Sequence, residues 1–343
     1  MPTHIAEVDN LRVADLLARA RQICDPLLRE AVESLPEPLR RMAGYHFGWW
    51  DIDSGEAAAR SGKRLRPALL LSAVEAYGGS LAAAAPAAAA VELLHNFTLI
   101  HDDVMDRDRF RFGRATIWHV WGTADAILLG DTMQSMATGL LAARLPGPMA
   151  VGAINRLVST SIELCRGQQL DCAFEERSRV DMQEYLEMAM AKTGTLMGLA
   201  CALGTLCAGM GSVEVEAMDR FGRELGSAFQ FVDDLLGIWG DPRVTGKPAG
   251  RDLARRKRSL PVVAALESED DRAGELAELY RAKSRMTAAD IARATVLVED
   301  MGGRLRTEWL VGERVSAALA ALPDRLDTAD LLALTDAAIN RRV

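Results

Sequence analysis

Two groups of aspartates lie far apart in this chain, each inside a stretch whose apolar residues recur at helical spacing. The first is Asp102, Asp103 and Asp106 in LLHNFTLIHDDVMDRDRFRFGR, and the second is Asp233 and Asp234 in FGRELGSAFQFVDDLLGIWGD. Positions i and i+4 of a helix share a face, with Cβ atoms roughly 5–6 Å apart. Asp102 and Asp106 therefore project together, with Asp103 on their flank. Carboxylates on an otherwise apolar helix are costly unless cations neutralise them. Magnesium suits such a site, because it takes a few carboxylates and fills its remaining positions with water and phosphate oxygens. Two such faces turned toward each other would cage a metal-bound diphosphate. Any fold for this chain must keep both groups at the edge of a cavity.

The rest of the sequence is compatible with that demand. VADLLARARQICDPLLREAVESL, VGAINRLVSTSIELC and MQEYLEMAMAKTGTLMGLACALGTL all repeat apolar residues every three or four positions, and strand-like alternation is hard to find. Breaks fall at Ala76 to Ser80, Leu145 to Pro148, Gly209 to Ser212 and Gly240 to Gly250. No Pro/Gly/Ser-rich linker, repeat or low-complexity tail divides the 343 residues. The reading is a single all-α domain over residues 1–343, a large helical bundle with a central active-site cavity lined by facing helices. Runs such as LAAAAPAAAAVELLHNF suit close helix packing, since Ala is the best helix former.

Composition narrows the function. A net charge of −8 argues against a nucleic-acid binder, which would carry a basic stripe. The N-terminus lacks the basic-then-apolar pattern of a secretory signal. No uninterrupted apolar run reaches membrane-spanning length, and the strongest candidate, Thr195 to Met210, reads as a buried bundle helix. Cys24, Cys165, Cys172, Cys201 and Cys207 form an odd set without zinc-like spacing. They read as core residues of a reduced, cytoplasmic protein.

Six motifs in order make a more specific pattern. GKRLRP (Gly62 to Pro67), HDDVMD, GQQLD (Gly167 to Asp171), AKTGTL (Ala191 to Leu196), FQFVDDLLG and GKPAGRDLARRKRSLP (Gly246 to Pro261) together resemble the trans-prenyl diphosphate synthases, the polyprenyl synthetase family of the isoprenoid synthase fold. The resemblance runs from about Ser61 to Pro261. It implies a Mg2+-dependent transferase in which an allylic diphosphate loses pyrophosphate and isopentenyl diphosphate attacks the resulting cation. A prenyl chain is lengthened and a proton is lost. By this likeness Asp102, Asp103, Asp106, Asp233 and Asp234 hold the metal ions, while Arg111, Lys192 and Lys247 meet the allylic diphosphate. Gln168, Asp171, Thr193, Gln230 and Lys257 support the cluster or the early cation. Lys63, Arg66 and His95 receive isopentenyl diphosphate, which carries no metal in this family. The family's usual assembly is a homodimer.

Three positions depart from the family pattern. Phe112 stands where a second arginine is usual, and that arginine ordinarily binds isopentenyl diphosphate. Losing such a charge-assisted contact costs a few kcal/mol. Arg109 and Arg114 are the basic neighbours able to offset the loss, and spacing does not choose between them. Gly237 replaces the third aspartate of the second group, and Ala115 replaces a common proline. Product length by this likeness depends on the residues beneath the first aspartates. Thr98 shares the face of Asp102 and Phe97 is its neighbour, one aromatic with a small partner, as in producers of the C20 geranylgeranyl diphosphate. Core packing accounts for Phe97 equally well. Two other readings accompany the transferase. One is a lyase that ionises a prenyl diphosphate without condensation, favoured by Phe112 because an aromatic stabilises a cation. The other is a weakly active partner subunit of a hetero-oligomeric synthase.

Overall fold

The computed structural model describes residues 2–52, 55, 62–245, 249–282 and 284–340. Helices in chain order are α1 (Pro2–Glu33), α2 (Leu39–His46), α3 (Leu65–Ala76), α4 (Leu81–Met105), α5 (Ile117–Trp121), α6 (Thr123–Arg144), α7 (Gly147–Glu176) and α8 (Met182–Ala189). A π-helical turn, Met190–Gly194, leads into α9 (Thr195–Cys207) and then α10 (Ser212–Trp239). Shorter elements follow: α11 (Pro242–Thr245), α12 (Arg251–Ala254), α13 (Leu260–Leu266), α14 (Ala273–Arg281), α15 (Ala288–Asp300), α16 (Gly303–Ala321) and α17 (Ala329–Ile339). The all-α expectation therefore holds across the described residues with one small exception. Strands β1 (Phe110–Arg111) and β2 (Arg114–Ala115) form an antiparallel hairpin just after the first aspartates. Its two-residue strands are too short for alternation to register in the sequence.

The chain divides into two compact units. The first comprises Met1–Ile162, Leu199–Asp219 and Pro323–Leu334, and the second Glu163–Gly198, Arg220–Leu322 and Thr335–Val343.

In the first unit, α4 packs along α6 and against α1 and α3. The reason is legible in α6, where Ala126, Leu129, Met133, Ala137 and Leu141 recur every three or four residues and are all fully buried. Ala84, Ala87, Ala88 and Ala90 are likewise fully buried in α4. Such small side chains let backbones approach closely, and Ser80 caps the helix by accepting a bond from the Ala83 amide at 3.4 Å.

In the second unit, Phe174, Tyr185, Phe231, Val263 and Leu310 share one core cluster, and Ile238, Leu276, Tyr280 and Leu297 share another. α8 begins with a capping box. Asp181 accepts from the Glu184 amide at 2.8 Å while Glu184 accepts from the Asp181 amide at 3.1 Å. The π-helical turn that follows lies hard against α7. A Cβ on Gly167 of α7 would lie 2.3 Å from the Lys192 backbone nitrogen, so the two backbones nearly touch and the side chain must be absent.

Uninterrupted apolar runs stay short, as expected, although by length and mean hydropathy Leu81–Met105 and Met182–Cys207 each contain a window long and apolar enough to span a membrane. Averaging over a window tolerates scattered polar residues that break a run. Those windows are 72% and 83% buried, so their apolar surface is already used within the protein.

One buried charge network ties the first unit together. Arg64, in the left-handed region at φ 60°, caps α3 with its side chain only 1% exposed. It meets Asp25 of α1 at 3.0 Å and Glu92 of α4 at 2.9 Å. The Asn96 amide reaches the Glu92 carbonyl at 2.7 Å, and His46 of α2 meets Asn96 Oδ1 at 2.9 Å. Removing one member of a buried pair leaves the other charge unmet. Arg64→Met should therefore lower unfolding stability by about 3–5 kcal/mol in denaturant melts. A loss below about 1 kcal/mol would show that water already solvates both carboxylates.

Candidate active site

In the first unit the aspartates do not share one environment. Asp103 is 3% exposed, and Arg111 Nε and Nη2 each lie 2.8 Å from its Oδ1. Burial pushes its carboxyl up to about 6, against the opposing pull of Arg111. Asp102 and Asp106 are only partly buried and stand on the more open side of α4. His95, Thr98 and Leu99 are also partly open, which extends that side back along the helix. Thr98 Oγ1 donates to the His95 carbonyl at 2.8 Å. Phe97, by contrast, is 5% exposed and meets the His101 ring edge-on at 4.8 Å.

Arg66 Nη1 lies 3.1 Å from His95 Nε2, and Lys63 is exposed at the start of the same basic motif. Both nearby imidazoles are held neutral. Burial lowers His95 well below the ordinary range, with Arg66, Arg111 and Arg64 adding to the effect. Burial lowers His46 to about 4, opposed by its Asn96 bond and reinforced by Arg111, Arg64 and Arg114. Four arginines thus act on two neutral rings, and two of them, Arg64 and Arg111, are answered by the buried carboxylates of Glu92 and Asp103.

The second unit gathers another group of the expected residues. Lys192 Nζ lies 2.5 Å from Asp171 Oδ2. Burial would raise the Asp171 carboxyl, but Lys257 and Lys192 outweigh it and hold the group at about 2. Thr193 donates to Gln230 Oε1 at 2.7 Å, and Gln230 Nε2 donates to Asp234 Oδ1 at 3.1 Å. The other Asp234 oxygen accepts from the Tyr185 hydroxyl and, at 2.7 Å, from the Leu260 amide. Asp234 is 1% exposed, and burial together with Asp252 pushes it up to about 6 despite Lys257. Asp233, its neighbour, is partly open. Gln168 is 7% exposed with an unpartnered buried Oε1, and its Nε2 lies 3.6 Å from Cys172 Sγ. Lys192 and Thr193 sit within the π-helical turn, an irregularity common at functional positions. Lys247 lies outside the described residues.

Sequence reasoning missed several contributors. Asp252 is 3% exposed, and its Oδ2 lies 2.2 Å from where a Cβ on Gly237 would be. Its carboxylate thus fills the space beside the glycine that replaces the expected third aspartate. The residue was visible inside GKPAGRDLARRKRSLP, but its meeting with Gly237 depends on how the chain returns to α10. Tyr185, Glu92, Asn96 and His46 carried no sequence signal of their polar roles.

Among the described residues, no three His, Cys, Asp or Glu side chains are gathered closely enough to hold a metal by themselves. The donors are hard carboxylate oxygens, which fits magnesium completed by water and phosphate oxygens.

Comparison with known proteins identifies the family. The polyprenyl synthetase family model matches residues 54–298. The geranylgeranyl diphosphate synthase of Mycobacterium tuberculosis is 53% identical over 320 residues, 93% of this chain and 91% of that protein. The crystal structure of a polyprenyl synthetase from Streptomyces coelicolor superposes with a TM-score of 0.91 at 40% identity, covering 95% of this chain and 99% of that one. A polyprenyl synthase from Caulobacter crescentus, solved with calcium and isoprenyl diphosphate, gives a TM-score of 0.82 at 29% identity and covers 96% and 98%. The chain belongs to the polyprenyl synthetase family, and it has the all-α fold of the isoprenoid synthases.

The packing at Gly237 makes a specific demand. Gly237→Asp restores the family's third carboxylate on paper, yet it drives a side chain into Asp252. The variant should lose about 1–3 kcal/mol of stability and gain no magnesium affinity. Asp252→Ala in the same background should recover the melting temperature. Tighter magnesium response with an unchanged melting temperature in the single variant would contradict this.

Proposed function

We propose that this protein is a magnesium-dependent prenyltransferase that condenses isopentenyl diphosphate with an allylic diphosphate to give geranylgeranyl diphosphate. The observation that carries it is the open side of α4, where Asp102 and Asp106 flank an Asp103 already paired with Arg111. Family membership and the Mycobacterium relative support the same reading. The lyase and partner-subunit readings are not favoured by these relatives.

Asp102, Asp106 and Asp233 offer the more open metal ligands. Asp103 and Asp234 add charge from beneath while holding Arg111 and Gln230. Magnesium, when bound, supplies Lewis-acid charge at the leaving pyrophosphate. Arg111, Lys192, Lys247 and Lys257 hold diphosphate oxygens, and Thr193 and Gln230 face the early cation with oriented dipoles. Gln168 and Asp171 brace that group. Lys63, Arg66 and His95 receive isopentenyl diphosphate. The allylic carbon–oxygen bond breaks with its electron pair leaving on pyrophosphate. The isopentenyl double bond then forms the new carbon–carbon bond, and a proton passes to the departing pyrophosphate. Preorganised positive charge around the leaving group lowers the barrier to this ionisation.

Thr98 and Phe97 limit the tail in this proposal, about one helical turn from the aspartates. We further propose that the protein acts as one all-α catalytic domain and as a cytoplasmic homodimer. Five cysteines, none of them joined in a disulfide, support a reducing compartment. Exposed Val151, Val158 and Ile162 on α7 support an apolar face for a second copy.

The test is incubation with magnesium, labelled isopentenyl diphosphate and C5, C10 or C15 allylic diphosphates, followed by product analysis. The expected label is in C20 product, with turnover abolished by chelator and by Asp102→Ala, and shorter product from Thr98→Phe. Consumption of the allylic diphosphate without incorporation of label would overturn the reading.

A further inference from the structure

The hairpin after the first aspartates puts two like charges opposite each other. Arg111 on β1 and Arg114 on β2 are direct cross-strand partners. Side chains so paired share one face of the ribbon, and like charges there repel. The turn between them is Phe112 and Gly113, at φ 52° and 80°. Two left-handed residues in a two-residue loop make the tight primed turn that suits a hairpin. Phe112 consequently sits at the tip, with 57% of its surface exposed.

The two arginines are answered differently. Arg111 is paired with buried Asp103 at 2.8 Å. One Arg114 amino group, Nη2, donates to the Trp50 carbonyl at 2.8 Å and reaches Asp51 at 3.3 Å, on a carboxylate that is 71% exposed. The other, Nη1, is buried and has no hydrogen-bond partner. A buried donor left without a partner is costly, so an acceptor is wanted there. The guanidinium is held in place by stacking on Tyr45, with 4.1 Å from its carbon to the ring centroid, and Tyr45 is itself bonded to the Ala115 carbonyl at 3.0 Å. Next along the chain, His46 meets Asn96 at 2.9 Å, and Asn96 adjoins His95, which lies 3.1 Å from Arg66. The Arg114 charge is also felt at His46, whose pKa it helps to lower, which sets it on the side of α2 that meets Asn96.

We propose that Arg114 is the second guanidinium of the isopentenyl diphosphate site, supplying from β2 the charge that Phe112 lacks at the hairpin tip. The proposal rests on the prenyl-transfer reading above. A guanidinium fixed by an aromatic ring, with one buried amino group still wanting an acceptor, is suited to a diphosphate oxygen.

Steady-state kinetics of Arg114→Met and Arg114→Lys test it, with melting temperatures measured alongside. For Arg114→Met the KM for isopentenyl diphosphate should rise at least about tenfold, while the KM for the allylic diphosphate changes less than about twofold. Arg114→Lys should recover part of the loss, because it keeps the charge without the fork. An unchanged KM for isopentenyl diphosphate in a folded Met variant would overturn the assignment, as would an equal rise in both KM values. If the Met variant does not fold, Arg114→Lys decides alone: a rise confined to isopentenyl diphosphate supports the proposal, and an unchanged ratio of the two KM values overturns it. Failure of the wild-type protein to incorporate label is visible before any variant is made. It would remove the prenyl-transfer reading, and this proposal with it.

Discussion

A carboxylate inside an apolar helical protein persists only where a cation or a donor meets it. That constraint organises both halves of this molecule. In the first unit, Asp103 is met by Arg111, and Glu92 by Arg64. In the second, Asp171 is met by Lys192, and Asp234 by Tyr185, Gln230 and Leu260. Three of the side chains that satisfy these carboxylates, Arg111, Lys192 and Gln230, are also ones proposed to serve the substrate site, so stability and chemistry share part of the same contacts.

One consequence is a division of labour among aspartates that look equivalent in sequence. Asp102 and Asp103 are neighbours on α4, as are Asp233 and Asp234 on α10. Consecutive helical residues point about 100° apart, so one of each pair turns inward and the other stays more open. The inward member is the one whose carboxyl is pushed up to about 6, since burial disfavours its charged form. The inward members hold Arg111 and Gln230, and the outward members are the ones proposed as metal ligands.

Much of this was legible in the chain because it depends on local period. Helical spacing, the breaks at Ala76 to Ser80 and Gly209 to Ser212, and the shared face of Asp102 and Asp106 follow from counting residues. What escaped is what depends on distant backbone approach. The close approach of α7 to the backbone at Lys192 requires Gly167 to lack a side chain, and Asp252 lies against Gly237 only because the chain doubles back. The hairpin escaped for a different reason. Two residues per strand carry too little pattern, although Phe112-Gly113 followed by Arg114 is a turn signal once a hairpin is suspected. Arg109 and Arg114 could not be separated by spacing. Register separates them, because Arg114 pairs with Arg111 while Arg109 is exposed ahead of β1.

If the inward carboxylates are already satisfied, too few oxygens remain to hold magnesium without substrate, and the ion must bind through one or two carboxylates and the diphosphate. Calorimetric titration of the wild-type protein with magnesium, alone and with inorganic pyrophosphate, measures this directly. The account requires weak, unsaturated heats with magnesium alone and tight, saturable binding once pyrophosphate is present, lost in Asp102→Asn. Tight stoichiometric magnesium binding without any diphosphate, unaffected by that substitution, would contradict it.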